Sequence, residues 1–214
     1  MPKPLCRGVY AITDAVLLSD DPRLTHAVEQ AILGGARLIQ YRDKSTDAAR
    51  RLAQARALNA LCRQYDIPLI INDDVELAVQ VGAAGVHIGR DDPDLATARV
   101  RLGEPALIGV SCYDRLDLAL AAERAGADHV AFGAFFSSPT KPTEIRAPIE
   151  LLREARAALR IPIIAIGGIT PDNAPVLLEA GADALAVVSG IFGQPDIQAA
   201  ARRYAALLAG GTPS

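Results

Sequence analysis

The sequence predicts an α/β fold, a single-domain (β/α)8 TIM barrel. Three observations carry the prediction. Short β-branched runs alternate along the chain with longer Ala/Leu/Arg segments of helical spacing. The punctuation between them is periodic. A length of 214 residues suits eight compact βα units, near the lower end of the barrel size range. An open doubly wound sheet is the structural alternative. It fits fewer repeats and usually carries a glycine-rich turn after its first strand. Here the first run ends Thr13-Asp14, with no G-x-G-x-x-G.

The predicted strands, in order, are Gly8–Thr13, Arg37–Tyr41, Leu69–Ile71, Gly85–Ile88, Leu107–Val110, His129–Phe132, Ile163–Ile166 and Ala184–Val188. Helical spacing lies between them, as in Ala48–Tyr65 and Leu116–Ala125. Gly34-Gly35-Ala36, Gly82-Ala83-Ala84-Gly85, Gly126-Ala127-Asp128 and Gly181-Ala182-Asp183 each stop a helix and open an even-numbered strand. Glycine suits that place because helix ends favour a left-handed residue. Pro68, Pro105 and Pro162 open strands three, five and seven, where a missing N–H is tolerated. One barrel domain over 1–214 is expected, with short flexible tails near 1–5 and 210–214.

Half of the chain is hydrophobic, enough for a core, so disorder is excluded. Three scattered cysteines (Cys6, Cys62, Cys112) do not make a disulfide scaffold. A net charge of -3 with 4% aromatic residues argues against a nucleic-acid binder. No apolar run approaches the ~20 residues of a membrane span, and MPKPLCRGVYAITD has no secretory h-region. A cytoplasmic protein, monomer or homodimer, is expected. Of its 22 basic residues only Lys3, Lys44 and Lys141 are lysines. A lysine inside such a fold can be there for its compact ammonium, which arginine does not copy.

In a barrel, chemistry sits in the loops after the strands. Those ends are densely polar: Gln40-Tyr41-Arg42-Asp43-Lys44, Asn72-Asp73-Asp74, Arg90-Asp91-Asp92, Ser111, Ser137–Lys141, Gly167-Gly168 and Ser189-Gly190. Asp74 or Asp91 alone can be a helix cap. Asp73 and Asp92, from adjacent strands, would converge and repel unless a cation stood between them. Oxygen donors without a Cys/His cluster favour Mg2+, which leaves coordination positions to water and phosphate. Arg42, Lys44 and Lys141 reach the same mouth, one bidentate fork and two point charges suited to a diphosphate. Each alone could also be a solvated surface charge. Gly167-Gly168 and Ser189-Gly190 let an oxyanion approach backbone N–H groups, or are simply tight turns. His87 and His129 read as packed, hydrogen-bonded residues, Cys112 as a small buried side chain, and His26 as exposed after a cap at Thr25.

Taken in series, Tyr10–Asp14, Gln40–Lys44, Ile71-Asn72-Asp73, Gly85–Gly89 with Asp92, Gly109-Val110-Ser111, Phe132-Gly133, Ser138–Lys141, Ala165–Ile169 and Val187-Val188-Ser189 resemble the successive motifs of the thiamine-phosphate synthase family. The resemblance implies a transferase joining a hydroxymethylpyrimidine diphosphate to a thiazole phosphate or its carboxylated form, with release of pyrophosphate. It implies that Gln40, Tyr41, Arg42, Asp43, Lys44, Asn72, Ser111 and Lys141 hold the pyrimidine diphosphate. Arg42, Lys44, Lys141 and Ser111 form the implied catalytic set. Asp73 and Asp92 are the implied Mg2+ ligands, and Ser138, Pro139, Thr140, Gly168, Val188 and Ser189 the implied thiazole phosphate site. The family often has Thr where this chain has Ser138, and His shortly after the fifth-strand Ser where this chain has Cys112-Tyr113. Three other readings share these residues: a thiazole tautomerase-like relative, a Schiff-base aldolase using Lys44 or Lys141, and a non-catalytic phosphate-ligand sensor. The metal pair together with two anion sites favours the synthase.

Overall fold

Eight parallel strands hydrogen-bond in chain order and close into a barrel: β1 (Gly8–Ile12), β2 (Ala36–Tyr41), β3 (Leu69–Asn72), β4 (Gly85–Ile88), β5 (Leu107–Tyr113), β6 (His129–Phe132), β7 (Ile163–Ile166) and β8 (Ala184–Val187). The computed structural model describes residues 6–89, 92, 94–137 and 146–209; the expected tails lie outside them. Closure comes from β1, which pairs with β2 on one side and β8 on the other.

Between the strands run α1 (Asp21–Leu33), α2 (Ala48–Gln64), α3 (Val75–Val81), α4 (Leu95–Leu102), α5 (Leu116–Arg124), α6 (Glu150–Ala158), α7 (Ala174–Glu179) and α8 (Ser189–Phe192), with α9 (Ile197–Ala209) packed on α1. Their faces follow the 3.6-residue period. α1 buries Leu24, Ala27, Val28, Ala31 and Ile32 against the barrel. Each buried Leu, Ile or Val contributes roughly 1.5–3 kcal/mol. Asp20 starts α1 by accepting from the Arg23 N–H at 2.8 Å. Thr25 is therefore not a cap: it lies one turn inside α1, its hydroxyl bonded to the Asp21 carbonyl, because an aspartate stood earlier in the same segment.

The period of two along each strand divides the core into two parts. Tyr10, Ile12, Leu38, Ile70, Leu107, Ala131, Ile164, Ala184 and Ala186 fill the barrel interior. Alternate residues such as Ile39, Ile71, Val86, Ile108, Val130 and Leu185 face the helices. The predicted strands differ at their ends by a residue or so, except β5. It continues past Val110 to Tyr113, because Ser111 and Tyr113 go on pairing with Ala131 and Phe132 across a register shift.

Candidate active site

The C-terminal ends of β2, β3 and β4 bring a charged cluster together. Asn72 Nδ2 donates to Asp73 Oδ2 at 2.6 Å. The same oxygen is paired with the Lys44 ammonium. Asp92 Oδ2 accepts the Gly89 N–H at 2.6 Å. Burial, reinforced by the Asp73 carboxylate within hydrogen-bonding reach, pushes the Asp92 carboxyl above its ordinary range. Among the described residues, two carboxylates and one lysine thus meet, with negative charge in excess. Asp73 holds φ = 64°, a left-handed conformation that few residue types other than glycine tolerate, aspartate among them. Such backbone tends to sit where a site needs it. These groups line an open cleft of about 510 Å3 between the loops after β2, β3 and β4.

Strand parity sorts the motif after β2. Gln40 points inward, 3% exposed, and donates from Nε2 to the Tyr10 hydroxyl at 2.7 Å. Arg42 stands at the mouth, its N–H on Thr13 Oγ1 at 2.9 Å and its guanidinium 3.6 Å from Asp14. Tyr41 points the other way, into the helix layer, where its hydroxyl donates to Gln54 Oε1 at 2.7 Å. Asp43 accepts from Ser45 N–H at 2.7 Å and Arg50 Nη2 at 2.8 Å. Burial opposes its ionisation, but these hydrogen bonds outweigh it and hold the carboxyl below the usual range. The side chains of Tyr41 and Asp43 therefore brace this loop, with Asp43 in the wall of the same cleft.

Deeper in the barrel, Ser111 Oγ lies 2.9 Å from His87 Nε2. Neither histidine was singled out for function in the sequence. The signal available was position: His87, Ser111 and His129 share the inward parity of their strands. Cys112 faces outward and is fully buried, which pushes its thiol up to about 12.

Across the mouth, the loop after β7 turns through Gly167 (φ 105°) and Gly168 (φ 61°). A Cβ on Gly168 would stand 2.2 Å from the Ser137 carbonyl oxygen, so no other residue fits there. Val188 and Ser189 lead from β8 into α8. Tyr204 of α9 ties the two loops, donating to the Ile169 carbonyl at 3.0 Å beneath Gly190. Ser138, Pro139, Thr140 and Lys141 lie outside the described residues. So does Asp91, whereas Asp74 is the cap of α3, accepting the Leu77 N–H at 2.8 Å. His26 is exposed, as expected. Among the described residues no helix is long and apolar enough to cross a membrane.

Comparison with known proteins gives the family of this barrel. The signature of the family described as thiamine monophosphate synthase matches residues 9–191. A thiamine-phosphate synthase of Thioalkalivibrio sulfidiphilus is 55% identical over 201 residues, covering 94% of this chain and 95% of the relative. One from Nitrosococcus oceani is 56% identical over 200 residues, covering 92% and 91%. Among solved structures, a thiamine phosphate pyrophosphorylase from Pyrococcus furiosus superposes with a TM-score of 0.84 at 32% identity, covering 95% of this chain and 96% of that one. A (β/α)8 barrel closed in this order, matched along nearly its whole length, belongs to the thiamine-phosphate synthase family of transferases.

Proposed function

We propose that the chain joins hydroxymethylpyrimidine diphosphate to a thiazole phosphate, giving thiamine phosphate and pyrophosphate in a Mg2+-dependent reaction. The observation that carries this reading is the convergence of Asp73, Asp92, Lys44 and Asn72 at one mouth, the end of the parallel barrel to which Arg42 and the glycine loop after β7 also belong. The donor set fits Mg2+. Its carboxylates offer oxygen atoms only and are already crowded, and burial, together with that crowding, pushes Asp92 toward its neutral form. Asp73 and Asp92 would hold the ion, whose bound chemistry is neutralisation of charge on the diphosphate.

Lys44, Arg42 and Lys141 stabilise the pyrophosphate as it leaves, taking up the charge that develops when the C–O bond at the pyrimidine CH2 breaks. The electron pair of that bond departs with pyrophosphate. The thiazole nitrogen then gives its own lone pair to the CH2 carbon. No strong base is needed at that step. Gln40, Asn72 and Ser111 orient the pyrimidine, with the backbone of Tyr41 and Asp43 continuing that wall. Ser138, Pro139, Thr140, Gly168, Val188 and Ser189 hold the thiazole phosphate, so the second substrate is in place when the cation forms.

The test mixes purified protein with both substrates and follows thiamine phosphate, with and without chelation. Product that disappears on chelation and returns with Mg2+ is expected. No product, or product indifferent to chelation, would sink the reading.

A further inference from the structure

Beneath the mouth, three inward-facing residues form one line. Ser111 Oγ lies 2.9 Å from His87 Nε2, and His87 Nδ1 lies 3.4 Å from His129 Nε2. The strand register produces the contact. His87 pairs with Gly109 on β5, and Gly109 pairs with His129 on β6. A Cβ on Gly109 would stand 2.0 Å from His129 Nε2 and 2.5 Å from His87 Nδ1. Glycine in the middle of that row is what lets the rings meet across a strand. The two rings lie nearly parallel, 27° apart, while the Tyr10 ring stands edge-on to His129 at 84°.

Both rings are buried, His87 7% and His129 0% exposed, and burial favours the neutral form of each. Burial pushes His87 down to about 4 and His129 well below its ordinary value. Two neutral imidazoles allow four proton arrangements. Protons on both facing nitrogens would collide, and protons on neither would leave two lone pairs opposed. Two arrangements make the hydrogen bond. In one, His87 Nδ1–H donates to His129, and His129 must carry its own proton on Nδ1. That atom is buried without a hydrogen-bond partner among the described residues. The alternative leaves only a bare lone pair there. Orphaned buried N–H groups are the rarer and costlier defect.

We infer that His129 and His87 are positioning residues that aim the Ser111 hydroxyl. His129 Nε2–H donates to His87 Nδ1, and His87 Nε2–H donates to Ser111 Oγ. The Ser111 O–H is then turned into the mouth as a donor to an acceptor atom of the pyrimidine diphosphate. This rests on the reading above that Ser111 touches that substrate.

Two measurements test it. The chain has three histidines, so 15N-histidine labelling of the full-length protein, with His26→Gln to remove one set of signals, reports each tautomer. Both His87 and His129 should carry their proton on Nε2; a proton on Nδ1 of either would overturn the inference without any folding question. Kinetics supply the second arm. His87→Leu should lower kcat about tenfold, and His87→Gln, which can still present an N–H, should recover most of it. In a Ser111→Ala background His87→Leu should cost less than about twofold, since residues acting through one group are not additive. An equal cost in both backgrounds would reduce the histidines to packing and overturn the inference alone. A Ser111→Ala enzyme with full kcat would overturn the substrate contact and the inference together.

Discussion

At the bottom of the barrel, Asp128 and Asp183 open β6 and β8 with the same wiring. Asp128 Oδ2 accepts from Arg99 Nη2 at 2.6 Å and from the Ile108 N–H at 2.8 Å. Asp183 Oδ2 accepts from Arg156 Nη1 at 2.7 Å and from the Ile163 N–H at 2.9 Å. Each ties its strand to the preceding one and to the helix before that. At the top, Asp73 and Asp92 have, among the described residues, each other, one lysine, one asparagine and one backbone N–H. Among the described residues, the same residue type is satisfied within the protein at one end and left short of positive charge at the other. Charge left short is capacity for a ligand, so on the proposed function the bottom stabilises and the top binds.

The largest effect should come from the top. Lys44→Ala should lower kcat/KM by about 10²–10³-fold, the scale for losing one charge-stabilising donor. The unfolding midpoint should hardly move, because the Lys44 side chain is 60% exposed in its pair with Asp73. Steady-state kinetics and thermal unfolding of one preparation decide it. A loss below tenfold, or a matching loss of stability, would erase the contrast. The bottom should answer with the opposite profile. Asp183→Ala leaves Arg156 and a strand N–H without their acceptor, and should cost about 3 kcal/mol in urea unfolding. Turnover per folded molecule should stay within about twofold, given the distance of that end from the chemistry. A collapse in kcat with stability intact would mean the ends are not separate.

How much of this contrast could be read in the sequence follows from what each feature depends on. The barrel was legible because its signals are local: β-branched runs, Gly-Ala and Pro openings, and helical spacing. Asp73 and Asp92 were legible as a pair because strand ends converge in any barrel. The orientation of Tyr41 and Asp43 was not read from their motif, since it turns on strand parity and on Gln54 and Arg50 of α2. Gly126-Ala127-Asp128 and Gly181-Ala182-Asp183 were read for their glycines alone. Their aspartates matter through Arg99 and Arg156, 29 and 27 positions away. The histidine row was hidden for a similar reason: it exists only where β4, β5 and β6 are in register.

That middle layer can be set against both ends by pH. Burial pushes folded His87 down to about 4 from an ordinary 6.5, against the opposing pull of the Asp73 carboxylate. Between those values the unfolded chain takes up a proton that the folded one refuses. Its contribution is therefore intact above 6.5 and lost as pH falls toward 4. Stability should drop by about 2 kcal/mol between roughly pH 6.5 and 5 on this account, with His129 acting in the same direction. Urea unfolding across that range should show a flatter slope for His87→Gln. An unchanged slope would place the titrating groups at the ends and not in the middle.

The smallest effect divides the bottom end itself. Asp183 also faces Arg7, 3.3 Å from Oδ1, but the Arg7 side chain is 61% exposed. An exposed pair is screened by water and salt and loses side-chain entropy on forming, so Arg7→Ala should cost less than about 0.5 kcal/mol. Arg156 is 37% exposed at the same carboxylate, and it also donates to the Leu159 carbonyl at 2.8 Å and packs its stem against Gly181. Arg156→Ala should therefore cost more, about 1–2 kcal/mol, through lost packing as well as lost charge. Urea unfolding of both variants at low and high salt separates the two. Equal losses would mean that net charge near Asp183 is what counts; a larger, salt-insensitive loss at Arg156 would place the stability of this end in its half-buried hydrogen bonds.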